Sequence, residues 1–277
     1  CKLLWNTLSI IWRLEDNMTE PFKPSGRERE VRLLGGVTID GAPVAYVVVM
    51  AAVVTALSFV FYSVDIVQGR PFPLSHGVYA LVGILLGPWA GGLAAGIGRL
   101  VAIFLAPHTA GAGLPSVLFS VVWAAAGGFF VRKERRNWLT AWTFLALVEV
   151  VYVGRAVMLG VGLHLALAGT AVALVGLLLW VLPTRVLARR WLGDHSMGKV
   201  TAGLFLSCLI VNAAAYNFAS AWNYLFINPW PAAVWAALAV AVPLEQLFRT
   251  VVGTVIGAGV IAGLRTIGLK KPARAAY

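Results

Sequence analysis

Apolar runs long enough to cross a bilayer recur along this chain, at roughly 43 to 64, 74 to 105, 115 to 131, 138 to 159, 161 to 182, 200 to 222 and 231 to 264. No other feature narrows its folds so far. A crossing helix needs about 20 predominantly apolar residues, because the hydrocarbon core is about 30 Å thick and a helix rises about 1.5 Å per residue. The fold class expected is therefore all-α, a polytopic transmembrane helical bundle. Composition agrees: 60% of residues are apolar and only 12% charged, whereas about a quarter are charged in ordinary soluble domains. The 29 Gly and 11 Trp suit helices in lipid, where Gly is frequent and Trp gathers at the interfaces. A soluble enzyme is excluded on these grounds. So is a nucleic-acid binder, because the net charge of +11 is spread in short clusters between apolar runs rather than over one surface.

Those clusters set the orientation, since Lys and Arg stay on the cytoplasmic side near span ends. Lys23, Arg27, Arg29 and Arg32 precede the first run, and Arg132, Lys133, Arg135 and Arg136 follow the third. Arg185, Arg189, Arg190 and Lys199 follow the fifth, and Arg265, Lys270, Lys271 and Arg274 follow the last. Only Arg70 lies between the first two runs. The four clusters share one side only if the run from 74 to 105 is split, and Leu86-Gly87-Pro88-Trp89 is the place to split it. Proline cannot continue a helix ladder without a break, and Gly is a natural terminator. The expectation is a short-helix hairpin broken at Gly87-Pro88 and about eight crossings with both termini inside. The last run would be about 50 Å long as one helix, so Pro243 is expected to divide it.

The organisation expected is a cytoplasmic N-terminal tail at 1–42, a transmembrane domain at 43–265 and a basic cytoplasmic tail at 266–277. The chain opens on Cys1 and its first methionine is Met18. Residues 1–17 differ in character from the remainder of the chain, which leaves open whether they are native. Location in the inner (plasma) membrane of a bacterial cell, with the lipid bilayer itself as a partner, follows from the same reading.

Ionisable residues at membrane depth are costly and normally mark pathways or ligand sites. Arg99, Glu149, Arg155, Glu245 and Arg249 qualify. Glu245 and Arg249 are four apart with the acid first, which places them on one helix face in the favourable order. An internal ion pair is the plainer reading of the two. Glu149 and Arg155, six apart, need partners elsewhere. Three Arg against two Glu leave one positive charge over, which would suit a carboxylate or phosphate gripped by two parallel hydrogen bonds. Arg155, near its helix end, could instead snorkel to water. Tyr216, Asn217, Trp222 and Asn223, in a segment running to Trp230, put amides and aromatic faces at the external end of one helix, as a small-molecule site would. An interfacial aromatic belt is the alternative. His76 and Asp65 in the first external loop, and His108 and Thr109 in the second, lie on the same side. Glu149, Glu245, Arg249, Arg99, His76 and the four residues from the 216–230 segment are thus the candidate substrate-binding residues. No catalytic constellation, metal site or cofactor motif is expected, and no phosphate-cradling Gly loop, so any energy for transport must come from a partner or a coupled ion.

The stretch from Pro71 to Val131, PFPLSHGVYALVGILLGPWAGGLAAGIGRLVAIFLAP and the short span after it, resembles the substrate-binding subunits of energy-coupling factor (ECF) vitamin transporters. That family has six spans rather than eight, and nothing after Val131 matches it. The resemblance implies capture of a small molecule from outside, a transmembrane coupling subunit and two ATPases as partners. It also implies a coupling contact at the family's Ala-x-x-x-Ala spacing, matched here by Ala52 and Ala56, since small residues four apart let helices approach closely. The Gly-rich helix ending in Gly98-Arg99 also looks like the five-span sensor module of bacterial histidine kinases. A ligand sensor with its output on another chain, or a structural membrane subunit, are the other readings.

Overall fold

The computed structural model describes residues 37–64, 69, 71–266, 271–273, 275 and 277. Cys1 and the tail basic residues Lys23, Arg27, Arg29 and Arg32, together with Asp65, Arg70, Lys270 and Arg274, lie outside the described residues. The described residues are mostly helical, with two short antiparallel hairpins as the strands among them. Strands β1 (Thr38–Ile39) and β2 (Ala42–Pro43) lead into α1 (Val44–Leu57). Strands β3 (Phe61–Val64) and β4 (Pro71–Pro73) and a 3-10 turn (Leu74–Gly77) precede α2 (Tyr79–Leu86) and α3 (Pro88–Leu105). A second 3-10 turn (Pro107–Thr109) leads to α4 (Pro115–Phe130) and α5 (Arg135–Met158). Then come α6 (Leu163–Gly169), α7 (Ala171–Val181), α8 (Thr184–Leu192), α9 (Met197–Ala215), α10 (Asn217–Phe226) and α11 (Ala232–Thr266).

Among the described residues four helices are long and apolar enough to cross a membrane: α3, α5, α9 continued by α10, and α11. A fifth is added if α6 and α7, bent by 64°, count as one span. Thr170 marks that bend, with its hydroxyl donating back to the Ala166 carbonyl at 2.9 Å, a bond that competes with the helix ladder. α1 and α4 are apolar but shorter, at 14 and 16 residues. The surface is inverted relative to a soluble protein: Val150, Leu244 and Val255 are more than half exposed, while Ser207, Asn212, Gln246 and Thr250 are buried. Long apolar helices with greasy outer faces and polar interiors fit a membrane protein.

The break at Gly87-Pro88 is present. Gly87 has φ +92, a conformation costly for any residue with a Cβ, and Pro88 opens α3 at a position where its missing N–H is harmless. α2 and α3 then fold back so closely that a Cβ on Gly91 would stand 2.6 Å from the Gly83 Cα. On Gly83 itself a Cβ would stand 1.7 Å from the Ala124 carbonyl oxygen of α4. The glycines are therefore what allows α2, only eight residues long, to be buried whole between its neighbours.

Pro243 does not divide the last run. α11 is one helix of 35 residues with Pro243 inside it. Proline removes a single N–H, and packing on both sides of an exposed Pro243 at Trp235, Val242, Gln246 and Arg249 keeps the helix continuous. The first run likewise is helical only to Leu57 and ends in a hairpin rather than running to residue 64.

Hydrogen bonds sort the connections into two ends. At one end Asp40 pairs with Arg132 at 3.4 Å and accepts the Trp89 N–H. There Arg185 donates to the carbonyls of Phe130 and Arg132 at 3.2 and 2.8 Å. Arg265 reaches the Asp194 carbonyl at 2.9 Å, and the Ala273 N–H meets Gly41. At the other end the Thr109 hydroxyl donates to the Ser58 carbonyl at 2.7 Å, and His108 meets the Phe59 carbonyl. The first end holds the described members of the basic clusters.

Candidate functional site

Arg99 sits late in α3, is 2% exposed and holds no carboxylate among the described residues. Its Nε donates to Ser116 Oγ and its Nη2 to the Thr109 carbonyl, both at 2.8 Å. Its Nη1 is buried with no partner among the described residues. Two neutral acceptors orient the guanidinium without neutralising it, and an uncompensated buried charge is costly unless an anion meets it. Its partners are themselves fixed: Ser116 Oγ donates to the Gly113 carbonyl, and Thr109 bridges to Ser58.

Arg99 lines a cavity of about 80 Å³ whose walls come from four stretches of chain. Pro71 to Pro73, His76 and Tyr79 form one wall, and Thr109, Gly111, Ala112 and Ser116 another. Phe119 and Trp123 of α4 and Ala219 and Asn223 of α10 complete it. Beside the free Nη1, His76 Nδ1 and Asn223 Oδ1 are also buried without partners among the described residues. Three residues lining one cavity thus each keep an unused polar atom, beside the rings of Phe72, Phe119 and Trp123. A liquid water occupies about 30 Å³, so the cavity has room for roughly two to three waters or one carboxylate-sized group. It is well below the roughly 300 Å³ of a pocket that encloses a drug-sized ligand.

The other candidates divide into two groups. Glu245 and Arg249 form an ion pair at 3.0 Å on α11. Arg249 Nε also donates to the Tyr62 hydroxyl, and its guanidinium lies over Phe72 and Trp123 at 5.0 and 5.4 Å from the ring centroids. The pair borders the cavity through those shared rings without lining it. Glu149 and Asn217 lie elsewhere: both are buried, and Asn217 Nδ2 donates to both Glu149 carboxylate oxygens at 2.9 and 3.1 Å. Tyr216, at the junction of α9 and α10, reaches the Gly169 carbonyl at 3.5 Å. Trp222 is half-buried, edge-on to Phe119 at 6.3 Å, one layer behind the cavity. Arg155 is exposed.

Of the nine substrate-binding candidates, the cavity therefore gathers His76, Arg99 and Asn223. Ser116, Tyr79 and Trp123 belong to it and do not stand out in the sequence. Each is common in an apolar span, and only the partner across the bundle gives it a role. Trp123, for example, donates to Asn212 Oδ1 at 2.9 Å, and Asn212 in turn meets Thr250 at 3.3 Å, tying α4, α9 and α11 behind the site. On α1, Ala52 and Ala56 face outward and are exposed. The helix makes its close approach within the chain through Ala51, whose carbonyl oxygen lies 2.5 Å from where a Gly98 Cβ would be. Among the described residues no group of three His, Cys, Asp or Glu comes together.

Set against protein-family models, curated proteins and solved structures, the chain matches none.

Proposed function

We propose that this chain is an integral membrane subunit that captures a small solute bearing a carboxylate or phosphate at Arg99, for uptake with a separate energising partner. The observation that carries this reading is the buried guanidinium with a free Nη1 in a cavity beside unpartnered atoms of His76 and Asn223. A guanidinium grips such groups through paired N–H donors, and the apolar walls strengthen each bond by excluding water. The acidic group would fill the cavity, with the remainder of a larger solute toward the loops at its mouth.

The topology proposed is eight crossings, with the described basic clusters on the cytoplasmic side and the cavity toward the outside. The bonds joining Asp40, Trp89, Arg132, Arg185 and Arg265 at one end, and Ser58, Phe59, His108 and Thr109 at the other, support it. The resemblance of residues 71–131 to ECF substrate-binding subunits supports a coupling subunit as partner, docked on the exposed Ala52 and Ala56 of α1. Replacing both alanines by Leu should release the partner while leaving solute retention intact.

The direct test is mass spectrometry of small molecules that copurify with the protein. An acidic solute is expected with the wild type and with Arg155→Ala, and is expected to be lost from Arg99→Ala. Retention by Arg99→Ala in a folded sample would sink the reading.

A further inference from the structure

At the opposite end of the bundle a groove of about 760 Å³ opens between the C-terminus of α4 and the N-terminus of α5. Its inner walls are apolar, from Val122 and Phe129 on α4 and Phe144 on α5, with Trp89 edge-on to Phe129 at its mouth. Phe144 and Trp89 are 45% and 63% exposed, so these rings face whatever surrounds the bundle. One or two turns away the lining changes to Arg132, Arg136, Asn137 and Thr140. An apolar trough ending in a cationic rim is the outline of an amphipathic anion.

We propose that this groove binds an anionic phospholipid, with its phosphate between Arg132 and Arg136 and its acyl chains along Val122, Phe129 and Phe144. Arg132 has a buried Nε with no partner among the described residues, and its ion pair to Asp40 is long at 3.4 Å. Burial lowers the pKa of its guanidinium from the usual value, with Glu134 opposing the shift, so an added anion here relieves an incompletely balanced cation. Arg136 is exposed at the same rim. The carboxylate that lines the rim, Glu134, is engaged by Asn137 at 3.1 Å. The volume exceeds what a phosphate alone would fill and suits a headgroup with the first part of two chains. Basic pockets between membrane helices on the cytoplasmic side recognise such headgroups, at about 1 kcal/mol for each Lys or Arg near the surface. Such binding requires that the bundle sits in a bilayer and is independent of what Arg99 holds.

The test is native mass spectrometry of the full chain in neutral detergent, titrated with dioleoylphosphatidylglycerol or dioleoylphosphatidylcholine. The wild type is expected to retain the anionic lipid in preference. Arg132→Gln and Arg136→Gln should each weaken that retention about fivefold, whereas Arg190→Gln, an exposed cation on α8, should not. Because Arg132 also holds Asp40, a second variant keeps both arginines: Thr140→Trp adds bulk at an exposed position on the rim and should block the lipid without disturbing packing. Equal loss in Arg190→Gln would reduce the effect to general surface charge and overturn the site. Retention unchanged in Thr140→Trp, or competition by soluble glycerol 3-phosphate as effective as by the lipid, would overturn it as well.

Discussion

Arg99 and Arg249 are buried to nearly the same extent, 2% and 3% exposed, and share two neighbours, since Phe72 and Trp123 line the Arg99 cavity and also face the Arg249 guanidinium. Arg249 meets a carboxylate on its own helix, a tyrosine hydroxyl and three aromatic faces. Arg99 meets a serine hydroxyl and one carbonyl and leaves a nitrogen free in a cavity. Burial therefore does not separate a structural arginine from a binding one. What separates them is whether the charge is already neutralised within the fold. An ion pair at i, i+4 is complete without any ligand, and an arginine held by neutral acceptors is not.

Mutation should pull the two arginines apart, most strongly at Glu245. Glu245→Gln leaves Arg249 unpaired in the interior, which should cost about 3 to 5 kcal/mol and lower the thermal unfolding temperature in detergent. Solute retained per folded molecule should be unchanged, and a stable variant would show that Arg249 does not depend on its pair. Arg99→Ala should do the reverse. Affinity for the acidic solute should fall by about 2 to 5 kcal/mol, with a smaller shift in unfolding temperature than Glu245→Gln gives.

Glu149 and Asn217 offer a counterpart to both that involves no arginine. Asn217→Leu strips a buried carboxyl of its amide donor and should cost about 1 to 3 kcal/mol. The double variant Glu149→Leu/Asn217→Leu, which removes both polar groups, should recover much of it. Failure to recover would mean that Glu149 has a use beyond this pairing.

The smallest effect lies outside the membrane. Asp194, in the exposed loop before α9, accepts from Lys199 Nζ and the Ser196 N–H, both at 2.9 Å. Those bonds hold its carboxyl below the usual carboxylate range. A carboxyl whose pKa is depressed on folding contributes stability above its unfolded value, and that contribution is lost as pH falls through the folded value. The difference in unfolding temperature between wild type and Asp194→Asn should therefore shrink on acidification. A difference that does not change with pH would assign Asp194 a purely geometric role.

The hairpin at Gly87-Pro88 is legible in the sequence because one residue needs positive φ and the next cannot lengthen a helix, both local rules. Pro243 misleads for the same reason in reverse: the local rule predicts a break, and packing around it overrides one missing hydrogen bond. The bend at Thr170 carries no proline or glycine pair to announce it. Within the site, His76, Arg99 and Asn223 stand out as polar groups in greasy surroundings, but so do Glu149, Tyr216 and Asn217, and nothing local separates the two sets. Arg185 and Arg189 belong in the sequence to a basic cluster that follows an apolar run, yet both are buried, the first holding the end of α4.

That the chain forms long apolar helices suited to a membrane comes from the order of its residues alone. Long apolar runs admit only structures that satisfy their own backbone in lipid, and small residues at fixed spacing set where helices touch. Which polar groups neutralise one another is decided only in three dimensions. That depends on distances between residues far apart in the chain, such as Asn217 and Glu149 or Trp123 and Asn212. A bond of about 2.9 Å between such residues has no signature in sequence spacing, and so Arg99, which meets no carboxylate among the described residues, is told apart from Arg249 only once the bundle has closed around both.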